Sequence, residues 1–193
     1  GKLHATLGIA GADAAKLLSW MEGISGSTRE QLLNQIKFQG ELAQAKGVAP
    51  AAVMKDVASQ TELFADFAKD GGANIFEAAT QARTLGLNLG TVAKMADSLL
   101  DFESSVNAQM EASMMIGRNI NSDRARQLAL EGDLAGMQKE VLKQLGSEAE
   151  FNNMNRLQRQ AMAKAFGLST EELSKMVREQ EKLNQRFSMV TWF

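Results

Sequence analysis

Apolar residues recur along this chain at the three- and four-residue spacing of a helix, and the pattern is cut at short intervals by glycine and by capping residues. Val53, Val57, Phe64 and Phe67 share one face, and so do Val92, Met95, Leu99, Phe102, Val106 and Met110. Five Ser or Asn residues are followed three positions later by Glu or Gln: Ser27 with Glu30, Asn74 with Glu77, Ser147 with Glu150, Asn155 with Gln158, and Ser169 with Glu172. In such a pair each side chain accepts from the other residue's backbone N–H, which satisfies two orphan donors and starts a helix. Gly47, Gly86, Gly117, Gly132, Gly146 and Gly167 fall where a left-handed residue would end one. The punctuation predicts helices over 12–22, 28–46, 50–69, 75–85, 90–116, 123–131, 134–145, 148–153, 156–166 and 170–187, with Pro50 in a first turn where its missing donor does no harm.

The expected fold is therefore all-α, a multi-helix antiparallel array of nine or ten short-to-medium helices with glycine corners. Leu7-Gly8-Ile9, Lys46-Gly47-Val48, Leu85-Gly86-Leu87 and Phe166-Gly167-Leu168 form a weak internal repeat, each preceding a polar cap and a new helix. Residues 1–187 read as one helical domain with a subdivision near 117–122, and 188–193 as an apolar tail running toward a missing region. The start at Gly1-Lys2-Leu3, without methionine, likewise predicts a piece of a longer polypeptide.

Composition supports this picture and narrows the chemistry. The chain has 193 residues, 45% hydrophobic and 23% charged, with sixteen glycines, one proline and no tyrosine, which suits helices with glycine stops better than sheet. A formal charge of −2 supplies no field for a polyanion, and the absence of cysteine removes disulfides and thiolate chemistry. No apolar run reaches the length of a membrane span. The single histidine, His4, has no cysteine to join it as a metal ligand, and no nucleophile motif or phosphate-binding glycine loop is present. We expect no cofactor and no enzyme activity.

Charge is concentrated where the long helix 90–116 must turn. Glu103 and Glu111 precede Gly117, and Arg118, Arg124 and Arg126 follow it, so a chain reversal predicts guanidinium–carboxylate pairs that fix the corner. Met110, Met114 and Met115 cluster on the same stretch, as core filling or as an adaptable surface. In the last helix Leu173, Met176, Val177, Leu183 and Phe187 lie on one side. With Trp192 and Phe193 of the tail, Leu173, Val177, Leu183 and Phe187 make a candidate interaction face, for the domain itself or for a second copy. The corner at 163–175 has the rhythm of a DNA-reading helix-turn-helix, but its second helix opens on Ser169-Thr-Glu-Glu172, whose acids would face phosphate. The leading reading has no specific nucleic-acid site, and a free-standing helical adaptor or nucleic-acid-binding regulator using that corner is the alternative reading.

Several landmarks fall in an ordered series: Asp101-Phe-Glu-Ser-Ser105, Glu111-Ala-Ser113, Ile116-Gly-Arg118, Ala125-Arg-Gln-Leu-Ala-Leu-Glu-Gly-Asp133, Gly146, Glu150-Phe151, Met154-Asn155, and Leu157-Gln-Arg-Gln-Ala161 to Gly167. This series resembles a helical region of the tail tape-measure proteins of tailed bacteriophages, over roughly residues 45 to 183 and most specifically 99 to 168. The resemblance implies a structural protein of the virion tail, assembled in the host cytoplasm. Several copies would occupy the tail tube, set its length, and leave ahead of the DNA. It also implies contacts with tube, baseplate hub and sister chains. Some members carry cell-wall hydrolase domains, but no hydrolase motif is found here.

Overall fold

The computed structural model describes residues 11 to 191, and among them every regular element is helical, with no strand. His4, the Leu7-Gly8-Ile9 repeat, Trp192 and Phe193 lie outside the described residues. Two compact units divide the described residues: 11–84 with 88–90, and 85–87 with 91–191.

The first unit contains α1 (Gly11–Ser25), α2 (Arg29–Ala45), α3 (Pro50–Ser59), α4 (Thr61–Phe67), a short 3₁₀ turn (Asp70–Gly72) and α5 (Ala73–Thr84). Helix α3 packs on α1, α2 and α5, so Val53, Met54 and Val57 are buried with Leu17, Met21, Leu32, Ile36, Ile75 and Phe76. Full burial of side chains of this size contributes about 1.5–3 kcal/mol each, and that term holds the unit together. The helix expected over 50–69 is broken at Gln60, where φ is −117° and ψ is 58°. Just before the break, the Ser59 hydroxyl donates to the Asp56 carbonyl, a local bond that competes with helix propagation. Beyond it Leu63 and Phe64 are buried, and Trp20 meets Phe64 with ring centroids 4.5 Å apart.

One ion pair in this unit has no signature in the local sequence. The Arg83 guanidinium on α5 forks onto Asp56 of α3, Nε to Oδ2 at 2.8 Å and Nη2 to Oδ1 at 2.7 Å, with only 10% of the Asp56 side chain exposed. Removing the carboxylate would leave a half-buried guanidinium without its partner. Asp56→Ala is expected to cost about 2 kcal/mol in urea unfolding, below the about 3–5 kcal/mol of a fully buried pair because Arg83 keeps some water. Exposed Asp66→Ala should stay within about 0.5 kcal/mol, and an unshifted midpoint for Asp56→Ala would mean that the pair does not stabilise the unit.

The second unit is built from α6 (Leu89–Leu100), which belongs to it from Thr91 onward, α7 (Phe102–Ile116), α8 (Asp123–Glu131), α9 (Leu134–Leu145), α10 (Glu148–Asn153), α11 (Arg156–Ala165) and α12 (Thr170–Thr191). Helix α11 packs most extensively on α7, α8 on α9, and α12 on α9, α10 and α11. The buried residues of α7 are Ser105, Ala108 and Ala112, and those of α11 include Ala161 and Ala165, small side chains that let two backbones approach closely.

Caps and stops largely fall where expected. All six glycines named as stops have positive φ. Asn155 with Gln158 and Ser169 with Glu172 form both reciprocal bonds, and Ser147 accepts from the Glu150 N–H. The first box sits one residue later, on Thr28 and Gln31. Asn74 is not a cap, because α5 has already begun at Ala73; its side chain instead accepts from the Lys69 N–H and donates to the Phe67 carbonyl.

Candidate functional site

The densest polar arrangement in the second unit surrounds Arg126. The apolar stripe of 90–116 predicts one helix, but the chain leaves helical geometry at Asp101, where φ is −80° and ψ is 84°. The Leu99 carbonyl, which an unbroken helix would pair with residue 103, accepts instead from Arg126 Nε at 2.9 Å. Arg126 Nη2 donates to Ser105 Oγ at 2.8 Å and to Ser122 Oγ at 3.2 Å, and Nη1 reaches Asp123 at 3.0 Å. The guanidinium carbon lies 5.1 Å from the centroid of the Phe102 ring. One cation thus closes the end of α6, where a positive charge suits the helix dipole, and joins it to α7 and to the start of α8.

Neighbouring bonds lock the same corner. Gln109 Oε1 accepts from both the N–H and the hydroxyl of fully buried Ser122. Ser113 Oγ accepts from the Ile120 N–H at 2.9 Å, and Gln144 Oε1 accepts from the Asn121 N–H, also at 2.9 Å. The 117–122 segment is therefore held to α7 and to α9 within the second unit.

The glutamates expected to meet these arginines do not. Glu103 and Glu111 are exposed, and neither is paired with Arg118, Arg124 or Arg126. Arg118 donates to the Gln144 carbonyl at 2.6 Å and lies 3.6 Å from Glu150; Arg124 is exposed and bonds Gln127. The reason is the break at Asp101. An unbroken helix would have kept Glu103 and Glu111 in register with the stripe of α6, but the new direction of α7 buries Ser105, Ala108 and Ala112 and exposes Phe102 and Met110. Met114 is exposed as well, whereas Met21, Met54, Met95, Met137, Met162 and Met176 are core residues.

The candidate face on the last helix also divides. Leu173 and Val177 are buried in the second unit, Leu183 is half-buried, and Phe187 is 74% exposed. Leu173 and Val177 are thus core side chains, because α9, α10 and α11 cover the first half of α12. The helix expected to stop near 187 continues to Thr191, so residues 188–191 are helical.

At the 163–175 corner, Leu168 is buried and its N–H reaches the Ala163 carbonyl at 2.9 Å, closing α11 around Gly167. The first turn of α12 carries Glu171 and Glu172, and Lys94 of α6 donates to Glu172 at 3.0 Å. Burial pushes the Glu172 carboxyl pKa up, but bonds from the Ser169 N–H, Lys94 and Thr91 outweigh it and hold the net value below the ordinary glutamate range. A carboxylate with a lowered folded-state pKa adds stability above its unfolded pKa and loses it as pH falls through the folded one. The midpoint of thermal unfolding should therefore fall as pH drops below the usual glutamate range, and Glu172→Gln should flatten that slope. An identical acid profile for the variant would count against the carboxylate's role.

Among the described residues no group of histidine and carboxylate side chains is arranged to hold a metal ion, and no helix is long and apolar enough to cross a membrane. A groove of about 540 Å³ runs between α9 and α12 over Leu142 and Val177, with Lys139, Lys143, Glu148 and Glu181 among its lining residues.

The class of protein defined by these features is an all-α helical bundle in two compact units, its most ordered polar contacts placed at helix corners. No family model, curated protein or solved structure matches the chain.

Proposed function

We propose that this chain is a structural and interaction module of a phage tail protein of the tape-measure type, acting in tail assembly and length determination through its outer faces. The observation that carries the reading is the ordered series of landmarks over 99–168. Several of these residues set the corners of the second unit: Ser105 and Arg126 in the buried network, Gly117, Gly132, Gly146 and Gly167 at helix ends, and Asn155 with Gln158 as a complete cap. Corner residues dictate how successive helices stack, so an ordered set of them describes a fold more closely than composition does. On this reading the protein is not an enzyme, its site is the virion tail, and its partners are tube, baseplate hub and sister chains.

Purified virions separated into capsid and tail fractions provide the test. Peptides from this chain are expected in the tail fraction, and disruption of its gene should abolish tails or change their length. Their absence from tails, with tail length unaltered by the disruption, would overturn the proposal.

A further inference from the structure

Helix α11 opens on positive charge with no acid in its first turn. From Phe151 to Thr170 the chain carries Arg156, Arg159 and Lys164 and not one Asp or Glu, although the whole sequence has a formal charge of −2. The Asn155 cap starts the helix at Arg156, so Arg156, Arg159 and Gln160 lie three and four residues apart on one face. With Met154 and Thr170, the first residue of α12, they line a cavity of about 410 Å³. No carboxylate is among its lining residues.

Arg159 is held in place there. Its Nε and Nη2 donate to the Phe151 and Asn152 carbonyls at 3.2 and 3.1 Å, and its guanidinium carbon lies 4.5 Å from the centroid of the Phe151 ring, which leaves Nη1 unspent. Arg156 is exposed and has no hydrogen-bond or ion-pair partner among the described residues, and the same holds for the Gln160 amide and the Thr170 hydroxyl. Two cations in a first turn are disfavoured by the helix dipole, which an anion bound there would offset.

We infer that this cavity binds a phosphate group, as the free ion or as a small monoester. A dianion with several oxygens suits two guanidinium groups flanked by an amide and a hydroxyl, and Met154 offers the body of an ester an apolar wall. A nucleic-acid strand would have to continue past Glu171 and Glu172, the residues after Thr170, whereas a single phosphate need not. Such a site is independent of the tail assignment.

Titration calorimetry of the full chain at fixed ionic strength tests the site, with inorganic phosphate in one arm and glycerol phosphate in the other. Saturable binding is expected, and the tighter arm identifies the free ion or the ester as the ligand. Arg156→Gln should weaken it about tenfold or more while leaving the helical circular-dichroism signal intact, because that side chain holds nothing in the fold. Lys164→Gln removes the same charge from the same helix outside the cavity lining and should leave binding within about twofold. Absence of saturable binding in both arms, or a loss at Arg156→Gln no larger than at Lys164→Gln, would overturn the inference. So would a single-stranded oligonucleotide that binds more tightly than either phosphate and loses that binding in Arg156→Gln.

Discussion

Arg126→Ala is expected to lower the stability of the second unit by about 3–5 kcal/mol, because it strips the donors from three oxygens inside the corner. The residue is 9% exposed and places donors on the Leu99 carbonyl, Ser105 Oγ and Ser122 Oγ. Asp123, its anionic partner, contributes little of this, since 74% of its side chain is in water. Most of the cost arises from the three oxygens left inside without a donor, each about 1–3 kcal/mol before relaxation and water entry. Arg126→Lys should recover only part of the loss, because one ammonium cannot reproduce a planar fork aimed at separate acceptors. Arg124→Ala, at an exposed position of the same helix, serves as the control and should stay within about 0.5 kcal/mol. Chemical unfolding followed by circular dichroism separates these outcomes. If Arg126→Ala unfolds within about 0.5 kcal/mol of the parent, the corner is held by apolar packing alone.

Gly167→Ala should be comparably damaging, and the comparison with Gly117→Ala separates its two causes. Both glycines occupy the left-handed region, φ 67° at Gly167 and φ 80° at Gly117. A side chain there costs about 1–2 kcal/mol through its clash with the local backbone. A methyl added at Gly117 would meet open space, so that conformational penalty is the whole expected effect. At Gly167 the methyl would also run into the Ser98 side chain and come within 3.0 Å of the Lys94 carbonyl on α6. Backbone cannot step aside, so the corner would separate from α6 and disturb the Lys94–Glu172 pair. A total of about 3 kcal/mol or more is expected for Gly167→Ala. Equal losses at the two glycines would mean that the close approach of the corner to α6 is not maintained in solution.

The helical class and most helix ends are legible in the sequence because they depend on local chemistry. A left-handed glycine, or a Ser–Glu or Asn–Gln cap, is satisfied within one turn of chain, whatever lies beyond it. The breaks at Gln60 and Asp101 are not legible, since both interrupt good apolar periodicity without glycine or proline. The break at Asp101 is marked only indirectly. Ser105, Gln109 and Ser113 place polar groups at helical spacing along α7, a sign that this face meets hydrogen-bonding partners rather than apolar core.

The charged corner shows the same division. The arginines near residue 120 read as structural, and Arg126 is the most completely bonded of them, but the two glutamates that precede Gly117 are not their partners. A chain reversal at Gly117 favours Glu103 and Glu111, while the acceptors in the fold are carbonyls, hydroxyls, the exposed Asp123 carboxylate and a glutamate from α10. Neutral acceptors leave no charge signature in a sequence. The Asp56–Arg83 pair, 27 positions apart, is invisible there because the positions themselves do not reveal that α3 and α5 lie together.

The chain by itself determined that this protein is helical, where most of its helices begin and end, and that Leu173, Met176, Val177, Leu183 and Phe187 share one side of α12. Those properties follow from capping, left-handed glycines and periodicity, which act over a few residues. Only the tertiary structure decided which part of that side is core and which is exposed, which arginine is buried, and what its donors meet. Burial and hydrogen-bond partners depend on packing between helices distant in the chain, and no spacing of residues along it fixes that packing.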